Sequence, residues 1–160
     1  MSDAPLSLLL ATPDATDALA RHVAPGLRAG DTLLLEGPIG AGKTHFARAV
    51  IKARLAALGR DEDVPSPTFT LVQTYDAGGV EIWHADLYRL THPDEALELG
   101  LEDAFGSAIC LVEWPDRLGT PPQGAITLAF APEGPGDARR LTIRTGRSRW
   151  QALTETARAL

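Results

Sequence analysis

The 160-residue chain holds one cysteine, one methionine and two lysines, and aromatic residues make up 6% of it. A lone thiol, Cys110, has no intramolecular partner, which excludes a disulfide-built scaffold and fits a reducing compartment. Long apolar runs are missing as well. The stretch Leu6 to Ala11 falls far short of the roughly 18 residues that a membrane helix requires, and nothing elsewhere approaches that length, so no membrane contact is expected. No basic residue precedes Arg21 and Asp3 is acidic, so the start does not follow the pattern of a secretory leader. A cytoplasmic protein is expected. Positive charge is also scarce: 15 Lys and Arg against 21 Asp and Glu leave a net charge of −6, which argues against gripping nucleic acid by the bulk field.

What remains is an ordinary globular composition, 44% hydrophobic and 22% charged, of a length that suits one domain over residues 1–160. Leu6–Leu10 reads as a first strand. Thr12-Pro13-Asp14 supplies a capping hydroxyl, a proline for the first turn and an acid, so a helix is predicted to follow, with Ala15, Leu19 and Val23 on one face and Pro25-Gly26 at its end. Thr32–Glu36 is a compact apolar run between Gly30 and Gly37, the pattern of a buried parallel strand. A second helix is expected over about Thr44–Leu58, closed by Gly59. An acidic linker, Asp61 to Asp63, leads to two strands, Phe69–Tyr75 and Val80–Leu87, around the turn Asp76-Ala-Gly-Gly79. Then come a helix over Asp94–Phe105 broken at Gly100, a buried strand Ile109–Val112, a closing pair Ile126–Phe130 and Arg140–Ile143, and a terminal helix Gln151–Leu160. The predicted fold is α/β: a P-loop NTPase-like mixed, mostly parallel sheet flanked by helices, with an antiparallel hairpin.

Between the second strand and the second helix lies Gly37-Pro-Ile-Gly40-Ala41-Gly42-Lys43-Thr44, which satisfies the Walker A pattern G-x-x-x-x-G-K-[ST]. In a chain of this composition and length the pattern arises by chance roughly 0.002 times. The context also agrees with the chemistry. Glycines let successive backbone N–H groups turn inward around a phosphate, and the helix N-terminus adds positive potential. Lys43 then reaches the β- and γ-phosphate oxygens, and the Thr44 hydroxyl ligates Mg²⁺. Arginine serves almost everywhere else a cation stands, so lysine at 43 marks a place for a flexible point charge.

Three further constellations carry polar groups on otherwise apolar segments. In Ile82-Trp-His84-Ala-Asp86-Leu-Tyr88-Arg89, alternation puts His84, Asp86 and Tyr88 on one strand face. Asp86 there is either a carboxylate for metal or attacking water, or one half of a structural pair with Arg89. Glu113 ends a buried strand, where ligands of open α/β sheets sit; it either faces a metal or is simply solvated. Trp114 either covers the nucleotide or packs on Pro115. In Pro65-Ser66-Pro67-Thr68-Phe69 the prolines restrict a loop whose threonine either reports a γ-phosphate or sits in a rigid turn. Five arginines, Arg139, Arg140, Arg144, Arg147 and Arg149, fall within 11 positions, as an anion-binding patch or a solvated strand face.

Together, Gly40-Ala-Gly-Lys-Thr44, Ser66-Pro-Thr-Phe-Thr-Leu-Val72, His84-Ala-Asp-Leu-Tyr-Arg-Leu90 and Leu111-Val-Glu-Trp-Pro115 resemble the bacterial TsaE (YjeE) family of tRNA threonylcarbamoyladenosine biosynthesis ATPases. The resemblance spans about residues 30 to 115, and the last two motifs are its specific part. It implies a cytosolic ATPase that cycles the threonylcarbamoyl-transferase TsaD and its partner TsaB, with tRNA held mainly by those partners. It implies ATP/ADP at Gly37, Gly40 to Thr44, His45, Trp114 and Arg139, and Mg²⁺ on Thr44 and Glu113. Catalytic parts fall to Lys43, Asp86 and Thr68. Pro38-Ile39, His45 and Ala85 depart from the family's usual residues, and none of them is a proposed Mg²⁺ ligand. Two other classes fit a Walker A loop: a small-molecule kinase, which needs an acceptor pocket and an arginine-bearing lid, and a nucleotide-gated interaction module.

Overall fold

The computed structural model describes residues 5–67, 70–144 and 150. Its first helix shows how local chemistry sets an element. Strand β1 (Leu6–Leu10) ends at Thr12, whose extended backbone (φ −141°) and side-chain oxygen, accepting from the Ala15 N–H at 3.2 Å, cap α1 (Pro13–Val23). Helix α1 buries Thr16, Leu19, Ala20 and Val23, one face at helical spacing, and a 3₁₀ turn at Ala24–Gly26 follows it. After β2 (Thr32–Glu36) and the glycine loop comes α2 (Lys43–Ala56). Its end is a Schellman turn: Gly59 takes φ +73°, and the Arg60 and Gly59 N–H groups reach the Leu55 and Ala56 carbonyls at 3.0 and 2.9 Å.

Strands β3 (Val72–Asp76) and β4 (Glu81–Asp86) form the expected hairpin. The first strand starts later than Phe69 because Leu71 adopts φ +69°, and a residue in that region cannot extend a strand. The Leu71 N–H instead closes a turn on the Pro67 carbonyl at 2.7 Å. Gly100, at φ +84°, separates α3 (Asp94–Glu98) from α4 (Leu101–Ser107), as its place in the predicted broken helix requires. Strand β5 (Ile109–Glu113), a 3₁₀ turn at Pro115–Arg117, β6 (Ile126–Pro132) and β7 (Arg139–Arg144) complete the order. The terminal helix expected over 151–160 lies outside the described residues.

The seven strands of the described residues share one sheet in the order β1-β7-β6-β2-β5-β4-β3. Pairing is parallel among the central strands β6, β2, β5 and β4, and antiparallel toward both edges. Central burial explains the apolar runs Leu33–Leu35 in β2 and Ile109–Val112 in β5, since these strands are covered on both faces. Leu33, Leu35, Ile109 and Leu111 face α1 and α2 in one core with Leu19, Phe46, Val50 and Ile51. Leu34, Cys110 and Val112 face the other way, into a core with Leu101, Ala104 and Leu118. Phe46 meets Phe130 with ring centroids 5.7 Å apart, so α2 is anchored directly beneath the glycine loop.

Register decides where chemistry gathers. Leu35 pairs with Glu113 and Glu113 with Asp86, so the carboxyl ends of β2, β5 and β4 align along one edge. Ligands of open α/β sheets bind outside this edge. Among the described residues no helix is long and apolar enough to cross a membrane.

Candidate functional site

The glycine loop leaves β2 at Gly37, whose φ of +139° is costly for any L side chain. A methyl group there would approach the Phe130 carbonyl oxygen closer than 3.0 Å, so Gly37 allows β6 to press against the loop. Gly40 (φ +79°) and Gly42 (φ +106°) complete the turn, and Gly42 is the residue at which α2 begins. Lys43 therefore occupies the first helical position. Its Nζ folds back to donate to the Gly37 carbonyl and, at 3.4 Å, to the Pro38 carbonyl.

The same ammonium lies 3.7 Å from the centroid of the Trp114 ring, a cation–π contact. Trp114 reaches it by leaving β5 in a left-handed conformation (φ 58°, ψ 55°), rare for a bulky residue and typical of functional sites. Its ring packs on Tyr88 at 4.8 Å. Thus Trp114 caps the lysine rather than serving only as a neighbour of Pro115. Tyr88 corrects the strand reading: β4 stops at Asp86, and the Tyr88 N–H turns back to donate to Asp86 Oδ1 at 3.1 Å. Its ring joins Trp114 beyond the strand. Burial lowers the Lys43 pKa from the ordinary lysine value, opposed by the nearby charges of Glu113, Asp86 and Asp116.

Glu113 is the polar hub. Its Oε1 accepts from the Thr44 hydroxyl at 2.6 Å and its Oε2 from His84 Nε2–H at 2.7 Å. Mg²⁺ characteristically takes one or two carboxylates, phosphate oxygens and water, and the Thr44–Glu113 pair suits that donor set. No group of three or more His, Cys, Asp or Glu that could hold a metal ion occurs among the described residues. Asp86, also buried, stands beside Glu113 on β4.

These side chains line a cavity of about 450 Å³ bounded by Ile39 to His45, Asp86, Tyr88, Glu113 and Trp114. Grooves of about 470 Å³ between α1 and α2 and beside α3 and α4 are as large, so volume does not select the site. Convergence of the glycine loop, a lysine and carboxylates does.

Two expected nucleotide residues sit less directly. His45 turns toward α1 and pairs with Asp17 Oδ1 at 2.8 Å, at the cavity's rim. Arg139 donates to the Ala41 and Gly40 carbonyls at 3.2 and 3.0 Å, and to Gly136 and Ala138 in its own hairpin. It braces the glycine loop from behind. The arginine run does not gather into one patch among the described residues, because Arg140 pairs with Glu133 and Arg144 with Glu36. Strand alternation sets Arg139 on the face opposite Arg140 and Arg144. Arg147, Arg149 and Thr68 lie outside the described residues. His84 carries a role that sequence reasoning did not assign; the available signal was a histidine on the same strand face as Asp86.

Fold and site define a class, mixed α/β proteins with a Walker A loop at the carboxyl edge of the sheet. A family model described as "Threonylcarbamoyl adenosine biosynthesis protein TsaE" matches residues 10–141. The tRNA threonylcarbamoyladenosine biosynthesis protein TsaE of Bacillus subtilis is 36% identical over 145 residues, covering 89% of this chain and 87% of that protein. The Rickettsia felis protein of the same name is 40% identical over 129 residues, 79% and 74% of the two chains. The crystal structure of Bacillus subtilis YdiB superposes with a TM-score of 0.74 at 30% identity, over 98% of this chain and 96% of that one. The chain belongs to the TsaE family of tRNA threonylcarbamoyladenosine biosynthesis proteins.

Proposed function

We infer that this chain is a cytoplasmic, Mg²⁺-dependent ATPase whose hydrolysis cycle resets a TsaD-like threonylcarbamoyl-transferase and its TsaB-like partner. The Thr44–Glu113 contact carries the reading. It joins the last residue of the Walker A loop to a carboxylate at the end of the neighbouring strand, beside Asp86. In this reading the loop N–H groups and Lys43 cradle the β- and γ-phosphates, and Thr44 and Glu113 hold the ion. When bound, Mg²⁺ neutralises charge on the phosphate oxygens. Asp86 accepts a hydrogen bond from the attacking water, whose oxygen bonds to the γ-phosphorus as the bond to the ADP oxygen breaks, while one water proton passes to an oxygen of the released phosphate. The family resemblance implies a γ-phosphate contact for Thr68, and Trp114 with Tyr88 closes the mouth over Lys43.

Water as acceptor is favoured over a small-molecule acceptor by the segment between Phe105 and Pro121. It is taken up by the end of α4, β5 and a 3₁₀ turn, where a kinase carries a lid that excludes water. Phosphate release from ATP and Mg²⁺, measured alone and with the TsaB–TsaD pair, tests the reading. Weak turnover that rises with the pair is expected, and Lys43→Ala should lower it at least about 100-fold. Turnover indifferent to the pair would remove the partner-coupled role.

A further inference from the structure

We propose that His84 is a positioning residue that holds the Glu113 carboxylate in the orientation that receives Mg²⁺. The proposal rests on the reading of this cavity as a Mg²⁺–nucleotide site. His84 has no exposed surface and lies on β4 level with Leu111, within the apolar layer between the sheet and α2. A leucine would fill such a place at lower cost, because a buried polar atom without a partner destabilises by about 1–3 kcal/mol. The imidazole incurs that cost at Nδ1, which has no hydrogen-bond partner among the described residues. Packing therefore does not account for histidine here. Its other nitrogen does, since Nε2–H donates to Glu113 Oε2 at 2.7 Å.

The geometry makes that bond directional. A carboxylate offers about four lone-pair sites. Thr44 takes one on Oε1, from α2, and His84 takes one on Oε2, from β4. One donor on each oxygen fixes the plane of the group and leaves each oxygen a lone pair for a further ligand. Mg²⁺ demands near-ideal octahedral geometry, so a carboxylate free to rotate binds it poorly. Partners that orient a ligand in this way typically contribute 10–100-fold to metal affinity. Thr44 reaches only Oε1, so it leaves the carboxylate free to turn about that contact until His84 fixes Oε2.

The test is Mg²⁺ titration of fluorescent ADP binding to the full chain, with parallel titrations in EDTA. Three variants separate positioning from packing. His84→Leu removes the donor, His84→Asn places an amide near Nδ1 and short of Glu113, and His84→Gln restores a donor near Nε2. We expect the half-saturating Mg²⁺ concentration to rise about 10–100-fold for Leu and Asn and to return within a few-fold for Gln. Affinity in EDTA should stay within about two-fold for all three. If His84→Leu fails to fold, the Asn and Gln pair carries the comparison. Equal losses with and without Mg²⁺, or Asn and Gln variants that behave alike, would overturn the positioning role. A wild-type chain whose ADP affinity ignores Mg²⁺ would overturn the underlying reading of the site, and the proposal with it.

Discussion

Replacing Gly37 with alanine tests the idea that the glycine loop is shaped by β6 as much as by its own sequence. Two costs add. A φ of +139° strains an L residue by about 1–3 kcal/mol. The new methyl also falls within 3.0 Å of the Phe130 carbonyl oxygen, a backbone atom fixed in the β6–β7 ladder, and overpacking of this kind costs about 1–3 kcal/mol more. Relief requires the loop to move outward, carrying away the Gly37 carbonyl to which Lys43 donates. The control is Gly40→Ala, which has positive φ but open space, and loses only about 1–2 kcal/mol. Urea or thermal unfolding should show Gly37→Ala melting about 5–20 °C lower, against about 2–8 °C for Gly40→Ala. ADP affinity should fall more for Gly37→Ala as well. Equal effects of the two substitutions on both measurements would refute the argument, because strain in φ would then explain everything and the Phe130 contact nothing.

Arg139→Ala should weaken ADP binding about 10-fold while changing unfolding stability by at most about 1 kcal/mol. It removes donors from the Gly40 and Ala41 carbonyls at the surface, and lysine should not rescue because a point charge cannot span both acceptors. Nucleotide binding should take up protons and weaken as pH rises toward 10.5. Burial depresses Lys43 while a bound phosphate favours its ammonium, and calorimetry in two buffers of different ionisation enthalpy reads this directly. Burial pushes the Cys110 thiol up to about 12 from an ordinary 9.0. Its contribution to stability is therefore full below about pH 9 and declines by about 1.4 kcal/mol per pH unit above it, which urea titration between about pH 8 and 10 should detect. The folded chain should also resist thiol reagents that label the unfolded chain at once.

Most of the elements were legible because their causes are local. Thr12 and Pro13 start α1, Gly59 stops α2 and Gly100 divides α3 from α4, each through backbone conformation or a cap within a few residues. The glycine loop was legible for the same reason, since its pattern is contiguous. Less could be read where the cause is distant. Nothing near Leu71 announces its positive φ, and the Tyr88 ring packs on Trp114, which follows β5 in a distant part of the chain.

Sequence alone determined that a strand, a glycine loop and a helix follow one another, and that carboxylates stand at or near strand ends. Which carboxylate faces which hydroxyl was settled only by the sheet. Inserting β5 between β2 and β4 sets Glu113 within reach of Thr44 on one side and His84 on the other, residues 69 and 29 positions away. The physical reason is that parallel pairing fixes register through backbone hydrogen bonds formed between distant segments, and no local preference encodes those.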